Sequence, residues 1–340
     1  EQSAKSEVIE AGPNGEKIGI ITIPTFYSDF TAKQAGDPNY RSTTRDVKQL
    51  LEELSEQEIE GVVVDLRNNG GGSLQEAYEL FGLFIPRGPV VQIQSAGGRT
   101  DVRGDRDPSI SWEGPMSVLV NRLSASASEI FAGAVQDYGR GLVIGSQTFG
   151  KGTVQALLPV NEGQLKLTIA KFYRISGQST QHQGVIPDIQ FPSAFDPTEI
   201  GESALDTALP WDQIRSLRYR PIDTPQAHLA QLIDRHQARI ATDPDFKALL
   251  KRTERALELS GETGISLHLE TRIQEREANN QALLDIENMR RGSLGLETAQ
   301  SISELEAAAK EDDVSSDASL MESARILLDE IQINRRLAGL

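Results

Sequence analysis

The sequence predicts an α/β fold joined to a helical C-terminal region, on three observations. Short apolar runs recur at Val62 to Val64, Val118 to Val120 and Leu142 to Ile144, with a β-rich run at Ile18 to Ile23 before them. Segments with apolar residues at helical spacing lie between them. Beyond Pro210-Trp211 the composition turns rich in Ala, Leu, Glu, Gln and Arg, as helices require. Runs apolar throughout suit strands covered on both faces, and strand–helix alternation implies α/β. The expected division is residues 1–210 and 211–340.

The elements follow in order. Ile18 to Ile23 is a β-rich run stopped by Pro24. Thr43 and Asp46 offer a cap to a helix whose Val47, Leu50, Leu51 and Leu54 share one face. The run at Val62 to Val64 ends in Gly70-Gly71-Gly72, and Ala77, Leu80, Phe81 and Phe84 point to a second helix. Val118 to Val120 leads into a helix over Ser128 to Tyr138, and Leu165, Leu167 and Ile169 alternate as a strand does. Thr224-Pro225 and Asp243-Pro244 each read as an N-cap with proline at the first helical position. Gly264 to Leu269 is a strand-like interruption, residues 301–318 are an acidic linker or weak helix, and Leu320 to Leu337 is a final amphipathic helix.

The 340 residues are 38% hydrophobic, enough for two domains with proper cores. A net charge of −16 argues against nucleic acid, whose phosphates call for clustered Lys and Arg. Cysteine is absent, which excludes disulfides and thiolate metal sites. The four histidines, His182, His228, His236 and His268, have no metal-ligand spacing. No apolar run reaches the ~20 residues that cross a bilayer. Residues 1–17 lack the charged and apolar regions of a signal peptide, so a signal has been removed or the chain is a fragment.

The strand-to-helix junction Asn121-Arg122-Leu123-Ser124-Ala125-Ser126-Ala127-Ser128-Glu129 holds three serines among small residues. A hydroxyl at a helix N-terminus has free backbone N–H groups nearby to hold an oxyanion. Plain capping is the commoner role for such serines, and spacing alone leaves both open. A nucleophilic hydroxyl needs a base. His182 is the one histidine in the α/β half, and lysine is the alternative, because burial favours an uncharged amine. Lys151 lies in Thr148-Phe149-Gly150-Lys151-Gly152-Thr153-Val154, which holds no other charge. The same segment approaches a phosphate-binding loop. Gly152 stands where Ser or Thr would hold Mg²⁺, and Thr153 to Pro159 reads as a strand instead of a helix, so nucleotide binding is rejected. The glycine triplet after Asp65-Leu66-Arg67-Asn68-Asn69 suits a close backbone approach, or only a turn.

Together these segments resemble, in order and spacing, the signatures of tail-specific (C-terminal-processing) serine proteases. The resemblance continues through Lys171-Phe172-Tyr173-Arg174, Gly184-Val185-Ile186-Pro187-Asp188-Ile189 and Ala208-Leu209-Pro210-Trp211-Asp212. It implies a crotonase-like (ClpP/crotonase) α/β protease core followed by a mostly α-helical C-terminal domain. It implies Ser126 as nucleophile, Lys151 as general base and Gln155 as the residue that orients the lysine amine. The oxyanion hole implied is the N–H of Ala127 with that of a glycine in the triplet, Gly72 before Gly71. Asp137 matches an acidic position that affects activity, and a structural role is expected of it. No metal or cofactor is implied. Implied substrates are proteins or peptides with exposed C-termini, and the implied location is the bacterial periplasm. Members carry a PDZ domain before the core, and the 17 residues ahead of the first core strand are too few for one. The C-terminal helices either pack on the core or bind an adaptor protein, and packing is favoured. Two competing readings are a silent scaffold that docks a partner through its helical region, and acyl-CoA chemistry on the same fold. Neither requires the set Ser126, Lys151 and Gln155.

Overall fold

The computed structural model describes residues 3–222, 225–262, 264–308 and 316–339. A six-stranded sheet forms the centre, in the order β1 (Lys5–Glu10), β2 (Lys17–Thr22), β3 (Gly61–Asp65), β6 (Met116–Val120), β7 (Leu142–Gly145) and β10 (Ile189–Gln190). β1 is antiparallel to β2, and every other neighbouring pair is parallel. A second, antiparallel sheet runs β5 (Thr100–Asp105), β4 (Gly88–Ser95), β9 (Gln164–Tyr173), β8 (Thr153–Pro159).

The apolar runs divide by alternation between two cores. Val62, Val64, Val118, Val120 and Val143 face one core. That core is closed by α2 (Thr43–Ser55), α3 (Leu74–Gly82) and α4 (Ala127–Tyr138), through Val47, Leu51, Leu80, Phe81, Phe131 and Val135. Ile18, Ile20, Val63, Leu119 and Ile144 face the other. There the cover is α9 (Ala318–Ala338), with Leu320, Ala324, Leu327 and Ile331, joined by Leu232 of α5 (Leu229–Ile240) and Phe246 of α6 (Pro244–Ser260). The C-terminal helix is thus half of what makes the central sheet dry. Gly61 on β3 seats it: a Cβ there would lie 2.9 Å from Leu327 Cδ2.

Ion pairs then fix α5 against α9. Arg239 donates to the fully buried Glu322, which also meets His236 Nδ1 at 2.7 Å. Arg235 and Arg239 share Asp329. α7 (Leu269–Ser293) is the opposite case, burying only Leu284 and Glu287. The short helices α1 (Phe30–Gln34) and α8 (Ile302–Ala308) and the 3₁₀ turns Glu202–Ala204 and Pro225–His228 complete the described elements.

Some expectations need correction. β1, β4, β5 and β10 were not anticipated: β1 and β5 mix charge with short apolar stretches, β4 interleaves Val90, Val91 and Ile93 with glutamines, and β10 is only two residues long. The cap of α2 is Ser42, one residue early, and Phe84 is buried beyond the end of α3. Pro225 opens a 3₁₀ turn rather than α5, while Thr224 lies outside the described residues. Asp243 caps α6 as expected, accepting from the N–H groups of Asp245 and Phe246. Gly264 to Leu269 is not a strand: it pairs with no strand among the described residues, Ile265 and Leu267 are exposed, and Leu269 opens α7. Within 301–318, Ile302–Ala308 is helical, and residues 309–315 lie outside the described residues.

If α9 is a true cover of the sheet, Leu327→Ala lowers unfolding free energy by about 2–5 kcal/mol in urea titration. A loss under about 1 kcal/mol would place α9 outside the cooperative core.

Candidate active site

The chemistry-bearing loops each leave the carboxyl end of a neighbouring parallel strand: residues 66–72 after β3, 121–126 after β6, and 146–152 after β7. Parallel strands turn these ends toward one rim, where open α/β sheets gather their ligand sites.

The first two loops are stitched together. Ser124 Oγ donates to the Leu66 carbonyl at 2.8 Å, and Ser128 Oγ donates to the Asn69 carbonyl at 2.8 Å. The Ala125 N–H donates to that same Asn69 carbonyl, and Asn68 and Asn121 exchange two further bonds. Two of the three serines are therefore structural. Ser126 is the third, part-buried, and it precedes α4 with φ 57° and ψ −108°. A non-glycine residue held at such angles costs about 1–3 kcal/mol, and only a surrounding lattice of bonds sustains it.

Gly71 and Gly72 complete that lattice at φ 104° and 141°. A Cβ on Gly71 would stand 2.9 Å from Ser126 Cβ and 3.1 Å from the Ala127 nitrogen. On Gly72 it would stand 2.2 Å from the Phe26 carbonyl oxygen. The loop backbone is thus pressed against the serine turn. The Gly71 N–H is already committed, donating to Asn69 Oδ1 at 2.9 Å. Among the described residues the N–H groups of Ala127 and Gly72 donate to nothing.

Glu129 joins the serine turn to the lysine loop. Its buried carboxylate accepts from Ser126 N–H (2.7 Å), Lys151 N–H (2.9 Å), Gly150 N–H (2.7 Å) and Thr148 Oγ1 (2.6 Å). Ser126 and Glu129 occupy the places of a capping box. Its carboxylate half is a short bond, and the Glu129 N–H also donates to the Ser126 carbonyl at 3.0 Å. Burial pushes the Glu129 carboxyl up from 4.5 to about 7, against the pull of these bonds. Arg122, also buried, braces the other side of the lysine loop by donating to the Thr148 carbonyl at 2.5 Å. The pattern Ser126-x-x-Glu129 was visible in the sequence as a capping box. Its second use, holding a loop 21 residues away, was not.

Lys151 is part-buried and stands just before β8. Its loop is fixed on both sides: the His182 N–H donates to the Gly150 carbonyl, and the Gly152 N–H donates to Gln181 Oε1. Gln155 is exposed on β8, just past a register shift after Val154. The structure brings the backbones of Ser126 and Lys151 onto one carboxylate oxygen. It does not join their side chains, or that of Gln155, by a hydrogen bond among the described residues. Asp137 lies on the last turn of α4, its carboxylate filled by Arg174 at 2.5 Å and Ser176 at 3.2 Å. It ties α4 to the chain leaving β9. Among the described residues no group of three His, Cys, Asp or Glu side chains is disposed to hold a metal ion.

An accessible hydroxyl at a helix end, two uncommitted amides and an amine on the facing loop form a set suited to acyl transfer. Comparison with known proteins gives the family of the chain. Residues 17–191 match peptidase family S41, and residues 195–332 match the C-terminal domain of tail specific protease (DUF3340). The chain belongs to peptidase family S41, among the tail-specific, C-terminal-processing serine proteases. It is 40% identical to a tail-specific protease of Haemophilus influenzae over 333 residues, 94% of this chain and 46% of that protein. It is 34% identical to a chloroplastic C-terminal processing peptidase of Tetradesmus obliquus, over 56% of this chain and 38% of that protein. The solved photosystem II D1 C-terminal processing protease overlays 58% of this chain and 49% of its own, at 32% identity and TM-score 0.47. The chain spans less than half the length of each of these relatives. Among the described residues no helix is long and apolar enough to cross a membrane.

Glu129→Gln replaces one acceptor oxygen by a donor facing N–H groups. Turnover should fall about 10²-fold, the loss typical of a displaced reacting group. The raised folded pKa means that the folded chain binds this proton more tightly than the unfolded chain. Stability therefore falls as pH rises from 4.5 to about 7, and Glu129→Gln flattens that slope. Parallel stability curves for the two proteins would reject the assignment. Asp137→Ala strands the part-buried Arg174 charge and should destabilise by about 3 kcal/mol in the same titrations.

Proposed function

We propose that this protein is a serine endopeptidase acting on proteins recognised by their C-terminal tails. In this reading it works on a crotonase-like core, with Ser126 as nucleophile and Lys151 as general base. The observation that carries the reading is the commitment of hydroxyls: Ser124 and Ser128 are spent on backbone carbonyls, and Ser126 is not. Two unbonded amides beside it, of Ala127 and Gly72, support the same reading.

Ser126 Oγ attacks the scissile carbonyl carbon, and its proton passes to Nζ of an uncharged Lys151. Negative charge gathers on the carbonyl oxygen, toward the N–H groups of Ala127 and Gly72. The C–N bond then breaks, Lys151 returns the proton to the leaving amine, and an ester remains on Ser126. Water attacks that ester, giving its proton to Lys151. The proton returns to Ser126 Oγ as the new carboxyl end leaves. Gln155 orients the amine once substrate closes the site, since catalytic hydrogen bonds commonly tighten only in the complex. Gly71 contributes its missing side chain and not its amide, and Asp137 supports the site through Arg174. The chemistry needs no metal or cofactor.

β8 and β9 form a ribbon beside the lysine loop that exposes Leu157, Leu158, Leu165, Leu167 and Ile169. An exposed apolar surface at this place suits an extended, unfolded chain as substrate. Residues 1–210 then serve as catalytic core and 211–340 as the helical domain. A bacterial periplasmic setting and an adaptor protein belong to the same reading and rest on the family alone.

Ser126→Ala and Lys151→Ala should each lower cleavage of a denatured protein by about 10⁴-fold or more, with the circular dichroism spectrum retained. Full turnover in Lys151→Ala would remove the base, and full turnover in Ser126→Ala would remove the whole reading.

A further inference from the structure

Arg67 and Asp317 stand 250 residues apart and meet in space. Arg67 opens the loop that ends in Gly71 and Gly72, and Asp317 is the N-cap of α9. The guanidinium is held from two sides. Its Nε and Nη2 donate to Asp65 at 3.0 and 2.6 Å. Its Nη1 and Nη2 donate to Asp317 Oδ1 and Oδ2 at 3.2 and 2.7 Å. Asp65 also accepts the Arg67 N–H at 2.9 Å, so side chain and main chain are fixed together. Burial disfavours the Arg67 charge, and the two carboxylates outweigh it.

We propose that Asp317 is a positioning residue for the oxyanion loop, supplied by the C-terminal helix and acting through Arg67. The proposal rests on the reading of Gly72 as an oxyanion donor. A planar guanidinium with two bidentate partners has little freedom to turn, so it fixes the residue from which the loop departs. Asn68 and Asn69 carry that placement on to the serine turn. A helix that merely covered the sheet would have no need for a carboxylate at this spot: serine or asparagine caps as well. Asp317 does both jobs: Oδ1 accepts the Leu320 N–H at 3.0 Å and Arg67 Nη1 at 3.2 Å, while Oδ2 takes the shorter bond from Arg67 Nη2 at 2.7 Å.

The cap needs one neutral oxygen and the clamp needs a charged carboxylate, and that difference supplies the test. In the full chain, Asp317→Asn and Asp317→Ser keep a cap and lose the charged clamp, whereas Asp317→Ala loses both. The first two should lower kcat about tenfold on a denatured protein, with KM within twofold and the melting midpoint within a few degrees. Hydrogen exchange should quicken over residues 66–73 and stay unchanged within α9. On an Arg67→Ala background, Asp317→Asn should have no further effect on kcat. Wild-type kcat in Asp317→Asn and Asp317→Ser, with only Asp317→Ala less stable, would reduce Asp317 to a cap and overturn the proposal. So would quickened exchange with unchanged turnover. If Ser126→Ala still cleaves, the protease reading has failed instead, and loop exchange alone decides on Asp317.

Discussion

One buried carboxylate holds the arrangement together. Glu129 accepts four hydrogen bonds, and two of them come from the main chain of the residues assigned as nucleophile and base. A carboxylate so placed has lost its water, and four donors offset that loss only if they stay where they are. The geometry of the lysine loop is therefore set from α4. The strained backbone of Ser126 is sustained by the same group, since its N–H is one of the four donors. Burial of the carboxylate and strain at the serine are two sides of one constraint.

The sheet makes this constraint possible. Side-by-side parallel strands deliver three loops to one rim, and apolar cover on both faces keeps the strands in register. The cover of one face centres on α9, which begins at Ala318, far along the chain from the last of the three strands, ending at Gly145. The C-terminal region is accordingly bound into the energetics of the catalytic sheet, through Leu327 and Ile331 over Gly61. The ion pairs of Arg239 and Arg235 add a polar seam whose partners lie on α9.

Much of the fold was legible because burial leaves a pattern. A strand dry on both faces must be apolar throughout, and Val62 to Val64 and Val118 to Val120 are. The helix over Ser128 to Tyr138 was likewise legible, one residue short of its observed start at Ala127. The alternation of Leu165, Leu167 and Ile169 gave the right element, β9, although these side chains are exposed. Alternation reports strand geometry, not what covers it. Gly264 to Leu269 failed for a related reason: β-branched and apolar residues favour a strand only where another strand is there to pair.

The sequence by itself determined the residue types at the site, the apolar runs that become the sheet, and the glycines at 71 and 72 where no side chain fits. These are local properties, fixed by what each residue's own chemistry and backbone allow. Tertiary structure alone decided which of three serines keeps a free hydroxyl, that Gly71 spends its amide on Asn69, and that Glu129 and Asp317 reach the loops they brace. Those outcomes depend on which donors and acceptors meet across distant segments, and no spacing along the chain encodes that.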